Sequence, residues 1–162
     1  MICYLGLGSN MDDRLMNLEK GIDMLSEKKE NKILAISDFY ESEAMYNKSL
    51  NKFYNAVVKI KTTLTPNKLL QLAKDIETQF GRIKSTERYS PRPIDIDILS
   101  CGSKIIKSRE LVIPHPHIKE RKFVLKPWSD IDSDYIIANE NRKIKELLDT
   151  TTDKSTLKKI YA

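Results

Sequence analysis

Apolar and polar positions recur along the chain with the spacings of both strands and helices. Residues 2–7 are an almost unbroken apolar run that ends at the turn residues 8–10, a pattern typical of a buried strand. Leucine and isoleucine then recur every three or four positions across residues 15–25, directly after two aspartates at residues 12–13. This spacing predicts an amphipathic helix with carboxylates capping its start.

Two further strands and a second helix follow in the same way. Residues 33–40 are predicted to form the second strand and residues 53–61 the third, in which side chains 56–61 alternate between two faces. Thr65 and Pro66 are the residue types of a helix cap and a first helical position, and Gly81 is that of a helix end. We therefore expect the chain's most clearly marked helix between them.

A fourth strand over residues 94–99 completes the order β-α-β-β-α-β. This order predicts a ferredoxin-like α+β fold, in which helices pack on an antiparallel sheet, although other α+β topologies stay open. Residues 111–113, the segment around Trp128 and a helical stretch over residues 142–148 are expected to be C-terminal additions to this core. The length predicts one domain over residues 1–162.

Charge and cysteine content narrow the class of protein. Lysine and arginine outnumber aspartate and glutamate by 28 to 23, and the charges are mixed along the chain, which favours a local anion site over a nucleic-acid-coating surface. Without a membrane-length apolar run or a secretory start, we expect a cytoplasmic protein that does not bind membranes. We also expect a monomer that does not bind nucleic acid. Cys3 and Cys101 lie far apart and outside any CxxC motif, so we expect buried, reduced thiols.

Two connections are longer than folding requires, residues 41–52 and residues 82–93. Long loops on a rigid sheet often carry binding sites, and we expect these two to close over bound ligands. The second connection holds four cations close together: Arg82, Lys84, Arg88 and Arg92. Such a cluster favours phosphate binding, with a solvated basic turn as the alternative.

The fourth strand carries the most informative motif, a run in which Asp95 and Asp97 alternate with isoleucines. In a strand the isoleucines share one face and the aspartates share the other, about 7 Å apart. Paired carboxylates suit Mg²⁺, which takes its remaining oxygens from a polyphosphate, while the alternative is an open, solvated strand face. Beside the basic connection they favour a MgATP site, although the chain has no Walker A motif or kinase glycine loop.

Both histidines lie in a proline-bearing stretch, residues 114–123. His115 and Arg121 are candidate donors to a polyphosphate, whereas the spacing of His115 and His117 is poorly suited to zinc. Composition alone predicts that Phe123 belongs to the core.

Residues 88–99 resemble the signature of the 6-hydroxymethyl-7,8-dihydropterin pyrophosphokinase (2-amino-4-hydroxy-6-hydroxymethyldihydropteridine diphosphokinase) family. Residues 4–10, 53–57 and 114–123 extend the resemblance in the family's order. It implies an ATP-dependent diphosphotransferase of folate biosynthesis, which moves pyrophosphate from ATP to the hydroxymethyl group of the pterin and releases AMP. It also implies ATP as co-substrate and two Mg²⁺ ions.

The resemblance implies a role for each matching residue. Asp95 and Asp97 match the Mg²⁺ ligands, and with Arg82 and Arg92 they match the catalytic set. The matching ATP-binding positions are Glu77, Lys84, Arg88, Tyr89, Ile98, His115 and Arg121. The matching pterin-binding positions, at which two phenylalanines sandwich the ring, are Gly8, Ser42, Met45, Phe53, Asn55 and Phe123.

Two other functions stay open at this level. An RNA-recognition motif has the same element order and a basic charge, but its aromatic RNP pattern is not seen here. A palm-type nucleotidyltransferase uses a similar carboxylate pair and releases pyrophosphate instead of AMP. The nucleotide product separates these functions.

Overall fold

The computed structural model describes residues 1–44, 51–81 and 91–160 of the 162-residue chain. Within these ranges, no helix has both the length and the apolar content needed to cross a membrane. The elements follow in the order β1 (Ile2–Ser9), α1 (Arg14–Ser26), β2 (Asn31–Ile36), β3 (Phe39–Ser42), β4 (Phe53–Thr62), α2 (Pro66–Gln79), β5 (Asp95–Cys101), β6 (Ile106–Lys107), β7 (Val112–Ile113), a short 3₁₀ helix (Ile118–Glu120), α3 (Lys122–Asp132), α4 (Ile144–Thr150) and β8 (Lys158–Ile160).

The main sheet has the strand order of the predicted ferredoxin-like fold. β5, β1, β4 and β3 lie side by side, each antiparallel to its neighbour, and β2 pairs with the other end of β4. β8 adds to the outer edge of β3, while β6 and β7 form a separate two-stranded sheet. The first and last strands of the core are therefore neighbours, which confirms the predicted fold class.

Alternation along the strands sends side chains to two faces, and each face is covered by its own helices. Leu5 and Ile98 pack with α1 and α2, and we refer to this side as the α1–α2 face. On the opposite side Tyr4 and Leu99 pack against Trp128 of α3, and we refer to this side as the α3 face. The predicted additions around Trp128 and over residues 142–148 thus cover the face of the sheet that the first two helices leave open, whereas Leu111 and Ile113 pack on the α1–α2 face.

The predicted helix ends are confirmed. Asp13 accepts a hydrogen bond from the backbone N–H of Met16 at 3.0 Å, and Thr65 accepts one from that of Lys68 at 3.3 Å. After α2, Gly81 adopts a φ of 84°, a left-handed conformation that costs glycine little.

The predicted second strand, residues 33–40, is in fact two strands. Ser37 lies between them; its backbone N–H donates to the carbonyl of Val57, and its Oγ accepts from the backbone N–H of Val57, both at 2.9 Å. A side-chain oxygen thus replaces a backbone carbonyl in the ladder, which interrupts the strand. The prediction was wrong because apolar periodicity does not report this local competition.

The prediction of reduced thiols was also wrong, because Cys3 and Cys101 form a disulfide. The two residues are register partners on β1 and β5, with Cα atoms 4.1 Å apart. They are separated by 98 positions in the sequence, so only the pairing of the first and last core strands brings them together.

Candidate functional site

β5 presents its two aspartates on the α3 face. Ile96 and Ile98 are each 4% exposed and pack on the α1–α2 face, whereas the alternating side chains of Asp95 and Asp97 are 25% and 40% exposed. The prediction that the isoleucines share one face and the aspartates the other is confirmed. Both carboxylates are therefore held by a buried strand while they remain accessible to a ligand.

Each aspartate faces an arginine, Asp95 one that is close in the sequence and Asp97 one that is distant. Arg92 Nη1 lies 3.2 Å from Asp95 Oδ1, and Arg121 Nη1 lies 3.9 Å from Asp97 Oδ2. Arg92 precedes β5 and Arg121 immediately precedes α3. Phosphate oxygens bind guanidinium groups as carboxylates do, so a phosphate can replace either aspartate as the arginine's partner.

Asn10 fixes the backbone of Arg92, a role that sequence reasoning missed. The backbone N–H of Asn10 donates to the Arg92 carbonyl at 3.1 Å, and its Oδ1 accepts from the Arg92 N–H at 2.7 Å. Asn10 is 1% exposed, so water does not compete for this two-way contact. Its sequence signal, a polar turn residue after a strand, does not distinguish it from an ordinary turn.

His115 is held as a neutral hydrogen-bond donor. Its backbone N–H donates to the Leu99 carbonyl at 2.9 Å, and its ring Nδ1 accepts from the His117 N–H at 3.1 Å. Burial, assisted by the charges of Arg121 and His117, lowers the pKa of His115 from 6.5 to about 4, although Asp95 opposes the shift. Because Nδ1 is an acceptor, the neutral ring carries its proton on Nε2.

Strand register places Gly8 between the aspartates and the predicted pterin-binding residues. Gly8 pairs with Asp95 on β5 and with Asn55 on β4, and Asn55 pairs in turn with Tyr40 on β3. A Cβ atom at Gly8 would lie 3.5 Å from both Asn55 Oδ1 and Phe53 Cδ1. Because Gly8 has no side chain, the surface between Asp95 on β5 and Asn55 on β4 is left open.

Asn55 and Ser42 form a buried polar pair on the α3 face. Asn55 Nδ2 donates to Ser42 Oγ at 2.7 Å and, more weakly, to the Tyr40 carbonyl at 3.5 Å. The two residues are 5% and 4% exposed. This arrangement leaves Asn55 Oδ1 on the side of Gly8, where its acceptor lone pairs suit the donor edge of a flat heterocycle.

Phe53 and Phe123 also lie on the α3 side of the sheet. Phe53 follows the same alternation as Asn55 along β4, and Phe123 is the second residue of α3. Phe123 is partly buried against the core cluster of this face, in agreement with the composition-based prediction. The guanidinium carbon of Arg121 lies 5.7 Å from the centre of its ring.

Two of the predicted ATP-binding residues lie away from the aspartate pair. Glu77 is 7% exposed, and its Oε2 accepts from the backbone N–H of Ile96 at 3.0 Å, which ties α2 to the outer edge of β5. The side chain of Ile98 is buried on the α1–α2 face, opposite the aspartates. Ile98 belongs to the same strand as Asp95 and Asp97, so only its backbone lies near them.

The remaining predicted site residues lie outside the described residues, as do the central parts of the two long connections. These residues are Met45, Arg82, Lys84, Arg88 and Tyr89. Among the residues that the structure describes, no three His, Cys, Asp or Glu side chains are grouped to hold a metal ion. A cation on Asp95 and Asp97 would therefore need additional oxygens from a ligand or from water.

Comparison with known proteins identifies the family. The family model for 7,8-dihydro-6-hydroxymethylpterin-pyrophosphokinase (HPPK) matches residues 4–133. A 2-amino-4-hydroxy-6-hydroxymethyldihydropteridine pyrophosphokinase from Aquifex aeolicus is 39% identical over 143 residues, covering 88% of each chain. Its counterpart from Haemophilus influenzae is 34% identical over 155 residues, covering 96% of each chain.

Longer proteins contain a similar region. The folic acid synthesis protein fol1 of Pneumocystis carinii is 45% identical over 133 residues, which are 82% of this chain and 18% of that protein. The crystal structure of Plasmodium falciparum HPPK-DHPS with pterin and p-hydroxybenzoate matches with a TM-score of 0.74 at 19% identity, over 99% of this chain and 46% of that one. The chain thus spans less than half the length of these two proteins. The family model and the relatives of similar length show that it belongs to the HPPK family.

Proposed function

We propose that this protein transfers pyrophosphate from ATP to the hydroxymethyl group of 6-hydroxymethyl-7,8-dihydropterin and releases AMP, as a step of folate biosynthesis. Membership of the HPPK family supports this activity. The observation that carries it is the register of Gly8, which has Asp95 on one side and Asn55 on the other. A phosphate-binding set and a ring-binding set are therefore adjacent on one surface.

The pterin ring would lie over Gly8, where a larger residue would occupy the space. The amide of Asn55, already oriented by Ser42, would meet the polar edge of the ring. Phe53 and Phe123 would stack on the two ring faces, an arrangement that flat heterocycles favour. The resemblance adds Met45 to this set.

Asp95 and Asp97 would hold two Mg²⁺ ions that accompany ATP. The residues fit this use, because both are partly exposed hard oxygen donors on one strand face, and Mg²⁺ commonly takes one or two protein carboxylates when phosphates supply other oxygens. When bound, Mg²⁺ neutralises charge on the transferring phosphoryl groups. The other proposed ATP-binding residues are Glu77, Arg82, Lys84, Arg88, Tyr89, Arg92, Ile98, His115 and Arg121.

In the proposed reaction the hydroxymethyl oxygen of the pterin attacks the β-phosphorus of ATP. The bond from that phosphorus to the oxygen bridging the α-phosphate breaks, AMP leaves with that oxygen, and the hydroxyl proton is released. Arg92 and Arg121 bind phosphate oxygens in place of the aspartates, and neutral His115 donates its Nε2–H without adding a full charge.

The test is to identify the nucleotide product made by the purified chain with ATP, MgCl₂ and the pterin alcohol. We expect AMP and the pterin pyrophosphate in equal amounts, and no AMP when the pterin is omitted. Pyrophosphate release would instead indicate a nucleotidyltransferase. Salt-dependent RNA retention without any ATP-dependent shift in melting temperature would indicate an RNA-binding module.

We further propose that the protein is a monomer. We also propose that it works in the cytoplasm, where ATP is available. Sedimentation equilibrium of the purified chain and cell fractionation test these two statements.

A further inference from the structure

Residues 151–160 connect two parts of the candidate site that the core elements leave separate, and we name this segment the C-terminal strap. Its first residue, Thr151, donates from Oγ1 to the carbonyl of Lys119 at 2.7 Å, just before α3. Its last residues form β8, in which Lys159 pairs with Tyr40 and Lys158 with Glu41 on β3. The strap therefore runs from the start of α3 to the strand that ends at Ser42.

Asp153, the third residue of this segment, caps α3 from outside the helix. Its Oδ2 accepts from the backbone N–H of Lys122, the first residue of α3, at 3.0 Å, and its Oδ1 accepts from the Ser155 N–H at 2.9 Å. Arg121, at the helix's own N-cap position, makes no side-chain cap. A carboxylate at this end also interacts favourably with the helix dipole.

Charge and a second anchor reinforce the cap. Burial raises the pKa of Asp153, but the hydrogen bonds from Ser155 and Lys122 outweigh burial and leave the pKa below its ordinary value. The carboxylate is therefore ionised at neutral pH. Lys122 Nζ also donates to the Ser155 carbonyl at 3.0 Å, so the same helix residue is bound through both backbone and side chain.

The other end of α3 is held to the sheet by different contacts. The hydroxyl of Tyr4 donates to Asp132, and that of Tyr40 donates to Asp130. Trp128 is fully buried, and its ring centre lies 4.9 Å from that of Tyr4. Loss of the cap at Lys122 is therefore expected to loosen the first turn of α3 without detaching the helix.

We infer that Asp153 is a positioning residue for the half of the site proposed to bind the pterin ring, which we name the ring half and which includes Gly8, Ser42, Phe53, Asn55 and Phe123. Its cap holds Lys122, whose neighbour Phe123 is the proposed stacking residue on α3, and the strap fixes that turn relative to β3. The inference rests on the proposed function. Arg121, the other sequence neighbour of Lys122, is also held by its contact with Asp97, so the phosphate-binding groups should stay in place when the cap is lost. We therefore expect a rise in the KM for the pterin and a smaller fall in kcat.

The test is steady-state kinetics of the full chain with Asp153→Ala and Asp153→Asn, using Asp149→Ala on α4 as the matched control. We expect Asp153→Ala to raise the KM for the pterin alcohol three- to tenfold (about the effect of losing one helix cap), with the KM for ATP within about twofold of wild type. Asn keeps one acceptor oxygen for the Lys122 N–H but lacks the charge and the second acceptor oxygen, so Asp153→Asn should restore part of the affinity. Asp149→Ala should match wild type.

An unchanged KM for the pterin in Asp153→Ala, or an equal rise of both KM values, would overturn the inference. If Asp153→Ala does not stay folded, Asp153→Ser, which has a shorter, uncharged side chain with one oxygen in place of two, replaces it with the same expected direction. Binding of the pterin in the presence of α,β-methylene-ATP provides a second measurement, because the reaction is then blocked. A wild-type chain that releases no AMP contradicts the proposed function itself, which distinguishes the two failures.

Discussion

The two halves of the candidate site are built in opposite ways. In the phosphate half, Asp95 and Asp97 are partly exposed and each faces an arginine at 3.2 Å and 3.9 Å. In the ring half, Asn55 and Ser42 are buried and joined by a neutral hydrogen bond of 2.7 Å. Exposed ion pairs contribute little to stability and exchange readily, whereas buried hydrogen bonds are costly to leave unmade.

This difference separates what each half can tolerate. The carboxylates of the phosphate half are available to a ligand because they remain partly exposed. The polar groups of the ring half are shaped before the ligand arrives, because an unsatisfied amide at this depth would destabilise the protein. Substitutions should therefore affect activity alone in the first half, and activity together with stability in the second.

The largest expected effect is the loss of turnover in Asp97→Ala. Removing one of the two proposed Mg²⁺ ligands should lower kcat by about a thousandfold, since charge on the transferring group is no longer neutralised. Because the side chain is 40% exposed, the melting temperature should change little. AMP release at the wild-type rate would contradict the metal role, and Asp149→Ala is the matched control.

A smaller and broader effect is expected from Asn55→Ala. It removes the amide that bonds Ser42, so the KM for the pterin should rise about thirtyfold while the KM for ATP stays near wild type. The free energy of unfolding should also fall by about 1–2 kcal/mol, which urea unfolding measures. A variant as stable as wild type would show that the ring half is not built on this buried pair.

The smallest expected effect concerns His115 and pH. Its pKa in the folded chain, about 4, lies below the ordinary 6.5, so the unfolded chain binds the proton first as the pH falls. The contribution of neutral His115 to the free energy of unfolding is therefore fully present above pH 6.5 and is lost as the pH falls from 6.5 to 4. Between these limits wild type should lose about 1–2 kcal/mol more than His115→Asn, after allowance for solvent screening.

Urea unfolding of both proteins across that pH range measures this difference. Asn retains an acceptor near the position of Nδ1, so the His117 N–H keeps a partner in the variant. Parallel pH profiles for the two proteins would show that the pKa of His115 is the same in the folded and the unfolded chain, and would contradict the lowering caused by burial.

Much of this could be predicted wherever the physical cause is local. The periodicity of residues 15–25 and the cap at Thr65 gave correct helices, because side chains three or four apart share a helix face. The alternation of isoleucine and aspartate in β5 predicted which side chains share a face. The proposed roles of the side chains on that face came from the family resemblance.

Other features could not be predicted because their partners are distant in the chain. Ser37 divides a strand by hydrogen bonding to Val57, and Asn10, just after β1, is hydrogen-bonded to Arg92, just before β5. Asp153 caps a helix that begins 31 positions earlier. Nothing in the neighbourhood of these residues marks them, since a serine, an asparagine or an aspartate in a turn has many equivalent uses.

Repeated spacing was sufficient for the order of strands and helices and for the opposite faces of β5, because both depend on neighbours within one element. Only folding decided that Asp95, Gly8 and Asn55 form one row, that Cys3 meets Cys101, and that the last ten described residues hold α3 against β3. Register between distant strands depends on the packing of both sheet faces at once, so it cannot be predicted from the sequence of one segment.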